Sequence, residues 1–223
     1  MQDRFAQQPN RFANFLFASG LILYLVISPP LFTVLGIPYD APTGNFIFKI
    51  HIGTFLIVLA YLIAHCQNGN PLRSILHSLN EQRALAVYLG TQVFLLLYSI
   101  TRYGPSGSAF IIETLIMPAI GALLLLMFDD ATKRKYFLIV IAFVTVNAVI
   151  GIVESIMQAH LVAYTVAGGV VLHEDVFRST ALLGHPLNNA LIMGSVMIVA
   201  GLLLIRMTLI PSSLMLRAAW EPA

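Results

Sequence analysis

The 223-residue chain is 58% apolar and 10% charged, with a mean hydropathy of +0.86 and a formal charge of +2. Soluble domains average about 45–50% apolar and about 25% charged residues, so this composition excludes a water-soluble globular enzyme, a disordered chain and a collagen-like fibre. The small net charge gives no argument for nucleic acid, and the single cysteine, Cys66, cannot form an internal disulfide.

A helix that crosses the hydrocarbon takes about 20 apolar residues. In chain order the long apolar runs are 12–35, 46–64, 84–101, 109–128, 136–158 and 186–205. Pro- and Gly-rich turns follow the first and third runs, and a charged turn at 129–135 follows the fourth. Stretches such as 123–128 do not alternate apolar with polar residues, which excludes an outer-membrane barrel. The expected fold class is all-α: one integral membrane domain over 1–223, a polytopic helical bundle of about six spans. The first run is too long for a cleaved leader and reads as an uncleaved anchor. Ser28-Pro29-Pro30 is expected to bend or end its helix.

Lysine and arginine resist translocation, so their placement sets orientation. With a cytoplasmic N-terminus, the inside segments hold Arg4, Arg11, Arg73, Arg83, Lys133, Arg134, Lys135, Arg206 and Arg217, while the outside loops hold Arg102 and Arg178. Both termini are therefore expected inside.

Ionisable groups in hydrocarbon cost about 2.5–3.5 kcal/mol on insertion scales and need partners or a cavity. Lys49, Glu113 and Glu154 each fall a few residues from the outer end of a run. They are expected to share an outward-facing polar cavity, with Lys49 pairing to Glu113 or Glu154. Asn147, Gly151, Glu154 and Gln158 share one helical face, and Tyr88, Gln92 and Ser99 form a similar stripe; the uncharged members suit helix–helix contacts. The spacing of His51, His65, His77, His160 and His173 does not suit a metal, and none is expected.

The outer segment 159–185 opens with an apolar stretch, 161–172, too short to span and expected to lie in the interface or re-enter. Glu174 and Asp175 follow, with Arg178 beyond them. Pro186 suits a helix start, preceded by Gly184 and His185 and followed by Asn188 and Asn189. A helix N-terminus attracts anions and guanidinium suits phosphate, so Arg178, Gly184, His185 and Asn188 form a candidate diphosphate site. Glu154, Glu174 and Asp175 are candidate orienting groups or a base. The bland reading is an arginine snorkelling to headgroups and a histidine capping a helix.

The string RSTALLGHPLNNA, residues 178–190, resembles the signature of the bacterial O-antigen ligase and polysaccharide polymerase family, in its exopolysaccharide branch. Arg178, Gly184, His185 and Pro186 match that pattern. Ala181 stands where glycine is usual, Leu187 where asparagine is usual, and Asn188 comes one place late. The resemblance implies an inner-membrane enzyme that moves a glycan from undecaprenyl diphosphate to an acceptor sugar on the extracytoplasmic side, inverting the anomeric centre without metal or cofactor. The family's large later loop, with a second arginine and a histidine, has no counterpart after the sixth run. A truncated chain, inactive alone, is expected. A small membrane transporter and a non-catalytic scaffold binding other polysaccharide-assembly proteins are the alternatives.

Overall fold

A computed structural model describes residues 8–28, 31–32, 35–37, 39, 45–105, 108–161, 164–166, 169–171, 179–183 and 192–195. Helix α1 covers Arg11–Val26 and opens on Asn10, whose side chain accepts from Ala13 N–H at 2.8 Å. It stops where Ile27 turns extended, one residue before the Ser28-Pro29 bond that disfavours helical backbone. Helix α1 thus covers the first part of the run 12–35, and the chain is helical again at Leu31 and Phe32.

The run 46–64 is likewise divided. A 3-10 turn, Phe46–Lys49, precedes helix α2, Ile52–Cys66, which starts at His51. The His51 ring caps it, with Nδ1 accepting from Gly53 N–H at 3.0 Å. A turn through Gly69, at φ +79, leads into α3, Pro71–Glu81, with proline at its first position and Asn70 capping Arg73 N–H at 3.0 Å. Helices α2 and α3 meet at 104°.

Helices α4 (Arg83–Tyr103), α5 (Ser108–Met127) and α6 (Asp130–Met157) are each long and apolar enough to cross a membrane, and α2 with α3 makes a fourth if the bent pair counts as one span. Helix α1, at 16 residues, is shorter. Helix α5 widens to a π turn over Ile112–Ile116, where Met117 N–H reaches back five residues to Ile112 carbonyl, immediately ahead of Pro118. Proline cannot continue the regular ladder, and the widened turn is the local accommodation. Most of the sixth run lies outside the described residues, which show helix at 192–195.

The stretch 161–172, expected to re-enter or lie in the interface, contains an antiparallel ribbon: β1, Tyr164–Val166, pairs with β2, Gly169–Val171, with Thr165 opposite Val170. Valine, threonine and tyrosine favour extended backbone. Apart from this ribbon and the 3-10 turns, the described architecture is helical.

The core forms where α1 lies on α2. A Cβ added at Gly53 would sit 2.7 Å from Gly20 carbonyl and 2.6 Å from the Tyr24 ring; one added at Gly20 would sit 2.6 Å from Ile57. The two glycines let the backbones approach, the usual device where helices cannot rely on water exclusion. Beside them Phe17 meets Tyr136 edge-on at 4.8 Å and Phe128 at 5.6 Å. Asn10 N–H donates to Gln67 Oε1 at 3.0 Å and Tyr136 hydroxyl donates to Asn14, so the start of α1, the end of α2 and the start of α6 share one end of the bundle. The α2–α3 elbow lies at that end too. The far end of α1 approaches Glu113 through the Ile27–His51 contact described below.

Candidate functional site

Asn147 and Glu154 lie seven residues apart on α6, two helical turns, and therefore on one face. Both are buried, with exposures of 1% and 0%. The Glu154 carboxylate gathers the chain on either side of the ribbon. Its Oε1 accepts from Leu161 N–H at 2.9 Å. Its Oε2 accepts from Ser179 hydroxyl at 2.8 Å, Thr180 N–H at 3.1 Å and Ala181 N–H at 2.9 Å. Asn147 Oδ1 takes the next donor, Leu182 N–H, at 3.0 Å. His160 Nδ1 is 3.1 Å from Thr180 hydroxyl and 4.0 Å from Glu154 Oε2.

This arrangement converts a buried charge into an anchor. Hydrogen bonds to charged groups contribute about 1.5–3 kcal/mol each, whereas an unsatisfied buried carboxylate is strongly unfavourable. Here both oxygens are taken up by donors of the chain itself, the geometry of an orienting group rather than of a base open to substrate. The segment it orients begins one residue after Arg178. Ala181 adopts φ +43, in the left-handed region that favours glycine, at the position where the resembled signature carries glycine. Its peptide N–H is thereby turned onto the carboxylate.

A second acid is satisfied separately. Glu113, in the π turn of α5, accepts from Tyr39 hydroxyl on one oxygen and from His51 peptide N–H on the other. His51 in turn is fixed on both ring nitrogens: Nδ1 accepts from Gly53, so Nε2 donates to Ile27 carbonyl at 2.9 Å. Its ring stacks on Tyr24 at 4.3 Å and meets Phe32 edge-on at 5.0 Å, while Tyr24 and Thr54 hydroxyls bond to each other. This network closes the link between α1 and α2 over the kinked turn of α5.

Glu113 and Glu154, expected with Lys49 at one outward-facing polar cavity, sit in two carboxylate networks with no partner in common among these contacts. The groups described as holding each acid are peptide N–H groups and hydroxyls; Lys49 closes the 3-10 turn two residues before His51. Of the polar face on α6, Asn147 and Glu154 point inward, while Gln158 is exposed and ends the helix at φ +52. On α4, Gln92 is buried and Tyr88 hydroxyl donates to Leu115 carbonyl at 3.1 Å, tying the stripe to the π turn. Arg178, Gly184, His185, Asn188, Glu174 and Asp175 lie outside the described residues. Among the described residues no group of three or more His, Cys, Asp or Glu side chains converges to hold a metal ion.

Sequence reasoning did not single out His160, Ser179 and Thr180 as partners of Glu154, nor Tyr39 and His51 as partners of Glu113. The available signal was a lone acid inside an apolar run, which demands donors; their location requires the chain's three-dimensional path. The fold and these networks define a helical protein with apolar helices of membrane-crossing length. No family model, curated protein or solved structure matches the chain.

Proposed function

We propose that the chain is an O-antigen ligase- or polymerase-like component of bacterial surface polysaccharide assembly, spanning the cytoplasmic membrane about six times with both termini inside. In this reading Arg178, with Gly184, His185 and Asn188 at the start of the sixth span, holds the diphosphate of an undecaprenyl-linked glycan on the outer side. The observation that carries the reading is the Glu154 anchor. A buried carboxylate spends four hydrogen bonds on residues 161 and 179–181, next to Arg178, at the end of α6 that the distribution of lysine and arginine assigns to the exterior. A loop with a purely connecting role has little need of such fixation; a guanidinium that must meet two phosphates in a set geometry does.

The chemistry of the site follows from charge. A cationic group and a helix N-terminus outside the membrane offset the negative charge that grows on the departing diphosphate. The contribution of these residues is capture and orientation of the carrier for glycosyl transfer. Complementation of a strain lacking surface-polysaccharide ligation or polymerisation, with this reading frame and its downstream sequence, tests the reading. The reading expects rescue, and loss of rescue by Arg178→Ala. Rescue indifferent to Arg178→Ala overturns it.

A further inference from the structure

Helix α3 turns 104° from α2 and is held at both ends. Four residues, 67–70, join it to α2, and the single residue Gln82 joins it to α4. Helix α2 is apolar, and α4 is long enough to cross a membrane. Gln82 faces the same cleft as Leu126 and Met127, so α4 begins at the end of the bundle where α2 and α5 finish. An 11-residue helix is about 16 Å long. Tied in this way across the end of one apolar helix and the start of the next, α3 runs along the level at which they meet the membrane surface.

The sides of α3 match that level. Arg73, His77, Asn80 and Glu81 fall within its single short span of sequence, a load that hydrocarbon does not accept. Around the helix three sectors follow in order. Ser74 is buried, and Ile75 and Leu79 pack on the core. Next to them Leu72 and Leu76, one turn apart and 66% and 58% exposed, form an apolar strip. Asn80, Arg73 and then Glu81, all exposed, border the strip on its far side. A helix lying in the plane of a membrane interface has those three neighbours: protein on one side, acyl chains beneath, headgroups and water above.

Charge selects the lipid. Among the described residues of this end, Arg11, Arg73, Arg83, Lys133, Arg134 and Lys135 stand against Glu81, Asp129 and Asp130. Two of those acids are engaged locally, Glu81 with His77 at 3.3 Å and Asp130 with Lys133 at 3.2 Å. Basic clusters beside a span attract anionic phospholipid, and guanidinium suits its phosphate. A second copy meeting this one through the same face would set one cationic end against another. We propose that α3 is an in-plane arm that docks on anionic phospholipid. Leu72 and Leu76 sit among the acyl chains, and Arg73 and Arg83 meet the headgroup phosphates.

The full chain in mixed phosphatidylcholine–phosphatidylglycerol vesicles, with Cys66→Ser as background, tests this by spin labelling. At Leu76→Cys, dissolved oxygen is expected to reach the label and a water-soluble nickel chelate to be excluded; at Glu81→Cys the order reverses. Leu72→Cys reads the same strip if Leu76→Cys fails to fold. Spin-labelled phosphatidylglycerol is expected to be held at the protein at least twofold more than spin-labelled phosphatidylcholine. Arg73→Gln combined with Arg83→Gln removes at least half of that preference. Access of the nickel chelate to the leucine strip overturns the proposal, as does exclusion of both reagents from it, the mark of a protein cover. So does a lipid preference that is absent from the wild-type chain or unchanged by the double substitution.

Discussion

Glu154 Oε2 accepts the peptide N–H of Ala181 at 2.9 Å across 27 residues of sequence, and the same oxygen holds Ser179 and Thr180. The carboxylate is irreplaceable by its amide in this setting, because an amide nitrogen would face donors. Glu154→Gln is expected to destabilise the fold by about 1–3 kcal/mol, because even with its oxygen on the Ser179, Thr180 and Ala181 donors its amide nitrogen faces Leu161 N–H. Glu154→Asp, shorter but still a carboxylate, retains part of that. Thermal unfolding in detergent, with proteolysis near residue 179 as the local readout, checks both. Equal stability of Gln variant and wild type contradicts the anchor.

Ala181 bears a methyl group where the backbone is left-handed, φ +43. That conformation costs a non-glycine residue about 1–2 kcal/mol, while glycine's extra freedom in the unfolded chain returns about 0.5–1. Ala181→Gly is therefore expected to be neutral to slightly stabilising, and Ala181→Val clearly destabilising. Melting temperatures of the two variants measured side by side decide the matter.

The close contact of α1 with α2 predicts a sharp difference among glycines. Gly53→Ala places a methyl 2.7 Å from Gly20 carbonyl and is expected to cost about 1–3 kcal/mol. Gly121→Ala, with nothing within 4 Å of the added carbon, is expected to be neutral or stabilising by up to about 1 kcal/mol. Detergent-resistant unfolding of both variants reads the contrast.

Much of this was legible in the sequence, and the reasons for the rest are physical. Long uninterrupted runs such as 84–101 and 136–158 identify α4 and α6, because only a helix satisfies every backbone group in hydrocarbon. Apolarity alone cannot locate breaks: α1 ends at Val26 ahead of Ser28-Pro29, the α-helix of the second run starts late at the His51 cap, and 164–166 pairs with 169–171 as a ribbon. The spacing of Asn147 and Glu154 correctly places them on one face. Composition could not show that their partners are backbone N–H groups arriving from 161 and 179–182. Nor could it reveal that His51 belongs with Glu113, since the contact spans 62 residues.

Asp129 caps α6 by accepting from Thr132 N–H at 2.8 Å. Hydrogen bonds from Thr132 side chain and backbone, then from the Gln8 side chain, hold its carboxyl below the usual carboxylate range. A group whose folded value is depressed stabilises fully above its unfolded value, about 3.9, and loses that contribution as pH falls through the folded value. The cap is thus expected to be constant from pH 8 to about 5 and to weaken only below about 4. Asp129→Asn, which caps without a charge, removes that acid dependence. Amide exchange at Thr132 and Lys133, corrected for intrinsic rates, follows it.

Capture of an undecaprenyl diphosphate lipid by the intact chain is the most direct test of the central claim. The account predicts binding to wild-type protein in nanodiscs, weakened at least tenfold by Arg178→Ala and measurably by Glu154→Gln in samples shown to be folded. It also predicts that undecaprenol, lacking phosphates, does not compete. Equal binding by wild type and Arg178→Ala, or no binding by the wild-type chain, contradicts it.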